Sequence, residues 1–248
     1  MAHTDRSGMK AKLYFTPAGL TDEDLHGKTV VVVDVLRACT VICAAFAAGC
    51  REVIPVNSIG DGSTLLGNLD RDVVLLAGER DGYRVEGFDL GNSPFEFTEH
   101  VVSSKTIILA STNGSKAMVL GSSGESMLAA SFVNVSAVVD KVASLDEDTV
   151  VVCSGKESRF SLEDVVCGGM IISRLGNRIE VANDAAMVAK TLYEAHKEDI
   201  ASLLRTCDHG RYLASIGFAD DVDFAAGIDT ISILPQWENA RFLVGEAL

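Results

Sequence analysis

The stretch TVVVVDVLRACTVICAAFAAG, residues 29–49, decides the fold class. Thr29 to Val35 holds four valines in a row, then an acid, then another valine. A strand with one wet face alternates apolar and polar residues, so an unbroken β-branched run reads as a strand covered on both faces. Ala38 to Ala48 is small and apolar and reads as a helix that stops near Gly49. A doubly buried strand, a short polar turn and a helix form the repeating unit of a mostly parallel sheet.

The same rhythm continues outward. Val53 to Val56, Val73 to Ala77, Thr106 to Ala110, Ser126 to Phe132 and Thr149 to Cys153 read as further strands. Helices are predicted at Val135 to Leu145, Leu162 to Leu175, Asn183 to Ala195, Asp199 to Cys207 and Gly210 to Ile216. VVVDVLRACT from Val31 and VVCSGKESRFSLED from Val151 are alike in running from strand through polar turn to helix. Two related α/β halves, residues 1–120 and 121–248, are therefore expected, either distinct or fused into one compact unit.

Composition limits the function. The chain has 248 residues, 48% of them hydrophobic, enough for a full-sized core. Thirty-five Asp and Glu against 21 Lys and Arg leave a net charge of −14, which repels a phosphate backbone or an anionic membrane. No nucleic-acid or membrane partner is expected. MAHTDRSGMKAKLYFT carries no apolar run of signal-peptide length, so the chain reads as soluble and cytoplasmic. The six cysteines lack a paired framework and read as reduced, packed residues. HExxH, GxxxxGKS/GxxxxGKT and GxSxG patterns are absent, which disfavours metalloprotease, P-loop and serine hydrolase chemistry.

In an open parallel sheet, ligands gather beyond the carboxyl ends of the strands. Asp34 and Arg37 lie there after the first strand; an acid at the end of a valine run must be paired, hydrogen-bonded or metal-bound, and a structural Asp–Arg pair is the alternative. AGERDGYRVEGFDLGNSPFEF, from Ala77, packs Glu79, Arg80, Arg84, Glu86 and Asp89 among glycines, a mixture suited to a divalent cation and an anion together, or else to a solvated loop. ASTNGSKAM, from Ala110, places Asn113, Gly114 and Ser115 at a helix start, where free amides hold phosphate oxygens or a plain cap forms. In CSGKESRFSLED, Ser161 with Asp164 fits a capping box, while Arg159 has no local role and is free to grip an anion. In DHGRYLASIGF, His209 and Arg211 open a helix, where solvated charges at a capped start are the competing reading.

Taken together, VVVDVLRACTVICAAFAAGCREVIPV, LAGERDGYRVEGFDLGNSPFEF, STNGSKA, CSGKESRFSLEDVVCGG and HGRYLASIGFADDVDFAAGIDTISILP resemble the 2-phosphosulfolactate phosphatases, the ComB-like family, from about Lys12 to Pro235. The resemblance implies an α/β fold, three-layer, with mostly parallel sheets covered by helices and two similar interlocked halves. It implies a homo-oligomer and a Mg²⁺-dependent phosphoric monoester hydrolase. The reaction it implies is hydrolysis of (R)-2-phospho-3-sulfolactate, a small anionic substrate, to 3-sulfolactate and phosphate on the route to coenzyme M. Two alternatives stay open: a phosphatase of another phosphorylated hydroxy acid, and a non-catalytic anion-binding protein.

Under that resemblance Asp34, Arg37, Glu79 and Arg159 are the expected catalytic residues. Arg80, Asn113, Gly114, Ser115 and Arg211 are expected to bind substrate, and Asp34, Glu86 and Asp89 to bind metal. Mg²⁺ takes oxygen ligands and keeps several waters, with Asp34 as its first ligand. The guanidinium groups of Arg37, Arg80, Arg159 and Arg211 would make a small electropositive pocket around it inside an acidic exterior. The attacking group is either water or a carboxylate.

Overall fold

The computed structural model describes residues 8–245, apart from 68, 113 and 158. Its strands, in chain order, are β1 (Met9–Tyr14), β2 (Thr29–Val33), β3 (Glu52–Val56), β4 (Val74–Arg80), β5 (Tyr83–Arg84), β6 (Thr106–Ala110), β7 (Ser126–Ala130), β8 (Thr149–Cys153), β9 (Ile179–Val181), β10 (Pro235–Glu238) and β11 (Arg241–Val244). They form one sheet in the order β5-β4-β6-β3-β11-β10-β7-β2-β8-β1-β9.

Two parallel blocks make up that sheet. β3, β6 and β4 pair in parallel, and so do β7, β2, β8, β1 and β9. The C-terminal hairpin of β10 and β11 joins them, antiparallel to β7 on one side and to β3 on the other. The first two strands thus belong to the block built otherwise from the second half of the chain.

Every residue of β2, β6 and β8 is buried, as their unbroken apolar runs require. Alternation shows instead in which layer each side chain enters. Val31, Val33, Val151 and Cys153 pack under the helices Val135–Leu145 and Leu162–Leu175, while Val30, Val32, Val150 and Val152 pack under Ala38–Ala47. Successive strand side chains point to opposite faces, and helices cover both, giving the three-layer α/β architecture. All six cysteines are free and buried. Among the described residues no helix is long and apolar enough to cross a membrane.

Candidate active site

Asp34 follows β2 and is 6% exposed. Its Oδ1 accepts the Ala38 amide at 3.0 Å, which satisfies one orphan donor of the helix Ala38–Ala47 and places the carboxyl against the positive end of that helix. Burial pushes this carboxyl up; the Ala38 bond and the His209 field oppose that, Glu163 and Glu79 add to it, and the result is about 6. Gly114 is required beside it, because a Cβ there would lie 2.5 Å from Asp34 Oδ2 and 2.7 Å from the Ala38 side chain.

Asp34 lines a cavity of about 170 Å³ whose walls come from both parallel blocks. β4 contributes Glu79 and its turn contributes Asp81 and Gly82; Ser111 and Thr112 follow β6, and Lys156 follows β8. Arg37, Asn92, Glu157, His209 and Tyr212 also line it. A second cavity of about 260 Å³ shares Glu79, Asp81, Ser111 and Thr112 and adds Arg80 and Lys116.

Glu79 is held on both oxygens: Oε1 accepts from the Thr112 amide at 3.1 Å and its hydroxyl at 2.5 Å, and Oε2 from the Gly82 amide at 2.9 Å. Arg37 pairs with Asp221 rather than Asp34. Its Nη1 lies 2.6 Å from Asp221 Oδ2, its Nη2 donates to the Gly82 carbonyl at 2.7 Å, and its guanidinium sits 4.5 Å over the Phe218 ring.

Behind Asp34 lies a second acidic layer. Asp164 accepts the Val35 amide at 2.8 Å and the Gly155 amide at 3.1 Å, tying the end of β2 to the end of β8. Ser161 stands at the N-cap position of Leu162–Leu175, but its side chain makes no capping bond and Asp164 does not close the predicted box. The strand-end amides have claimed that carboxylate. Burial, then the neighbouring Glu163 and Asp34, hold Asp164 well above the ordinary carboxylate range. Glu163, 2% exposed, is pushed up by burial, but the hydrogen bond and charge of His209 outweigh this and bring it below its usual value. His209 Nδ1 is 3.1 Å from Glu163 Oε1.

Of the residues singled out in the sequence, Asp34, Arg37 and Glu79 meet in the cavity, with Gly114 packed against Asp34. Arg80 lies in the adjoining cavity. Asn113 lies outside the described residues. Ser115 is fully buried and its amide, one of the three expected to hold phosphate oxygens, is taken by Ser111 Oγ, while the preceding amides of Ser111 and Thr112 are taken by Ser115 Oγ and Glu79 Oε1.

Glu86 is exposed, and Asp89 holds the Leu76 amide at 2.9 Å and the surface Arg71 at 3.4 Å; neither lines the cavity. Arg159 is exposed in a tight turn whose backbone bonds twice to Lys156, and it is the lysine that reaches the cavity, 3.9 Å over the Tyr212 ring. Arg211 is exposed and engaged with Asp208 and the Thr206 carbonyl. It shares the helix Asp208–Ser215 with His209 and Tyr212, and the 100° step per residue turns those two toward the cavity and Arg211 away. The expected ring of four guanidiniums therefore reduces to Arg37, assisted by Lys156 and His209, facing Asp34, Glu79, Asp81 and Glu157.

Asn92 was not among the expected site residues, although it stands in the GNSP segment. Asn92 lines the cavity and is 5% exposed, and its buried Oδ1 accepts no hydrogen bond from a described residue. Among the described residues no three His, Cys, Asp or Glu side chains converge as a ready-made metal cluster. What the cavity offers is the raised carboxyl of Asp34, the carboxylates of Glu79, Asp81 and Glu157, the Asn92 amide and the Ser111 and Thr112 hydroxyls. This oxygen-rich set, in a cavity with room for waters, fits Mg²⁺ better than a softer ion.

The 2-phosphosulpholactate phosphatase family model matches residues 14–240. A protein of Caldanaerobacter subterraneus subsp. tengcongensis described as a probable 2-phosphosulfolactate phosphatase is 37% identical over 93% of this chain and 96% of its own length. Relatives with the same description from Carboxydothermus hydrogenoformans and Clostridium novyi are 39% and 36% identical, over 92% of this chain and over 93% and 97% of their own lengths. With the match running through β2 and the cavity loops as far as β10, this chain belongs to the 2-phosphosulpholactate phosphatase family.

Proposed function

We propose that this protein is a Mg²⁺-dependent phosphatase that hydrolyses (R)-2-phospho-3-sulfolactate to 3-sulfolactate and phosphate. The observation that carries the reading is the meeting of Asp34, Glu79, Asn92, Arg37 and Lys156 around one small cavity at the carboxyl ends of parallel strands. A phosphorylated hydroxy acid is compact and multiply anionic, and the two adjoining cavities are small and bring Lys156, Arg37, Arg80 and Lys116 to their walls.

Asp34 and the Asn92 carbonyl oxygen would hold the ion. When bound, Mg²⁺ supplies positive charge against the phosphoryl oxygens, which an excess of carboxylates would otherwise repel. Glu79, fixed by three hydrogen bonds, sets the turn at Gly82 and the start of the segment after β6. Lys156 and Arg37 hold anionic oxygens; two of the five Arg37 donors serve Asp221 and Gly82, which fixes the fork before substrate arrives. Arg80 and Lys116, in the adjoining cavity, would take the sulfonate or carboxylate end.

Phosphate release measured across a panel of phosphorylated hydroxy acids, with Mg²⁺ and with chelator, tests this. Fastest turnover on 2-phospho-3-sulfolactate, abolished by chelation, is expected. Preference for another phosphorylated acid replaces the substrate, and metal-independent release removes the ion from the account.

A further inference from the structure

We propose that His209 is the general acid of the reaction, giving its Nε2 proton to the ester oxygen as it leaves phosphorus, with Glu163 as its positioning residue. This rests on the phosphomonoesterase reading above. Nothing in that reading uses His209, yet its surroundings differ from those of a solvated histidine at a helix start. It lines the cavity with Asp34, and its Nδ1 is 3.1 Å from the Oε1 of a carboxylate that is itself 2% exposed. An ionised carboxylate only accepts, so Nδ1 carries the hydrogen, the ring is fixed in orientation, and Nε2 on its opposite edge is left for other work.

The backbone holds this arrangement. Cys207 Sγ caps the helix Asp208–Ser215 by accepting the Gly210 amide at 3.3 Å. Gly210 lies against the Leu204 carbonyl so closely that a Cβ there would collide with it. His209 is thereby held in the first turn of its helix, on the cavity wall. Among the other side chains on the wall, the Tyr212 hydroxyl donates to the Asp81 carbonyl at 3.0 Å, the Lys156 ammonium sits over the Tyr212 ring, and Asp34 is assigned to the ion.

The chemistry needs such a donor. Phosphomonoester hydrolysis passes through a loose transition state in which the bond to the leaving oxygen is largely broken, and an aliphatic alkoxide is a poor leaving group. The bond from phosphorus to the bridging oxygen breaks with its electron pair going to that oxygen, which takes the Nε2 proton and departs as a hydroxyl. Water forms the new bond to phosphorus and keeps both its hydrogens on the product, H₂PO₄⁻. One of these protons then returns to the neutral imidazole, so the enzyme is restored and phosphate leaves as HPO₄²⁻.

The test compares an aliphatic ester, 2-phospho-3-sulfolactate, with p-nitrophenyl phosphate, whose leaving group needs no proton. In His209→Gln, kcat on the aliphatic ester should fall about 10²–10⁴-fold, while kcat on the aryl ester changes far less. Glu163→Gln, which keeps an acceptor behind the ring but removes its charge, should show the same selectivity more weakly, with KM little changed. Equal loss on both esters, or none on either, overturns the proposal. Wild-type enzyme gives a reading independent of any variant's folding: a normal solvent deuterium isotope effect on kcat is expected for the aliphatic ester and not for the aryl one, and its absence from both contradicts the assignment. If wild type ignores phosphosulfolactate but hydrolyses other alkyl phosphates, the substrate reading fails and the same comparison is made on those esters. If it hydrolyses no phosphomonoester, both fall.

Discussion

Arg37 and Asp221, 184 residues apart in the chain, form a buried ion pair of 2.6 Å in which each side chain is 3% exposed. Ser93 Oγ donates to the other Asp221 oxygen at 2.7 Å, and Arg37 carries the connection on to Gly82 at the cavity rim. The pair fastens the turn after β4 and the helix Ala219–Ala225 to the end of β2.

Removing one partner leaves a buried charge alone. Asp221→Asn is expected to lower unfolding stability by about 3–5 kcal/mol, measured by urea denaturation. Replacing both residues with apolar ones of similar volume should recover much of that loss. If the single substitution is neutral, the pair is not holding the rim.

Asp34 makes the opposite kind of prediction. Its carboxyl is raised from an ordinary value of 3.8 to about 6, chiefly by burial. A carboxyl raised in the folded state favours folding while protonated, so this contribution is complete below the unfolded value and is lost as pH rises through the folded one. Without divalent ions, wild type should lose stability relative to Asp34→Asn across that window. At neutral pH the variant should melt no lower than wild type while releasing phosphate only at background. Added Mg²⁺ should raise the melting temperature of wild type and leave that of the variant unchanged. Scanning fluorimetry across pH, paired with a phosphate-release assay, checks each statement.

Gly114→Ala places a methyl group 2.5 Å from Asp34 Oδ2. The helix Gly114–Gly121 or the carboxyl must then shift, at an expected cost of about 1–3 kcal/mol. Phosphate release should fall even at temperatures where circular dichroism shows the variant folded. Wild-type kinetics in that variant would place Asp34 outside the reaction.

Phe242 is fully buried, with its ring centroid 5.1 Å from that of Trp237 across the closing hairpin. Phe242→Ala should cost about 3–5 kcal/mol in denaturant unfolding, because the hairpin is the only strand pairing between the two parallel blocks among the described residues. A small effect would mean that the helical layers alone hold the blocks together.

The parallel sheet could be read in the sequence wherever burial on two faces produced an unbroken apolar run. β6 and β8 occupy the residues expected of them, as do the helices Val135–Leu145 and Leu162–Leu175. β1 is not legible in the sequence because Lys10 and Lys12 interrupt it; only alternate residues of that strand are buried. The β10–β11 hairpin escaped notice because Asn239 and Ala240 turn with φ of 49° and 64°, and alanine does not announce a turn that glycine would.

At the site, Asp34 and Glu79 were legible because an acid at the end of a buried strand must find a hydrogen bond, a counter-charge or a ligand. The arginines stood out by charge, and charge does not tell which face of a turn or helix a side chain takes; Lys156 and His209 occupy the wall where Arg159 and Arg211 were expected. The partner that distinguishes His209 from a solvated cap residue is Glu163, 46 positions away, and only the fold brings them together.

The most direct test of the whole account is a crystal structure of the protein with Mn²⁺, as an anomalous stand-in for Mg²⁺, and 3-sulfolactate with phosphate. An anomalous peak is expected beside Asp34 and Asn92, with phosphate in the same cavity within hydrogen-bond reach of Lys156 and the His209 ring. A metal and ligand bound away from Asp34, on another face of the molecule, would contradict it.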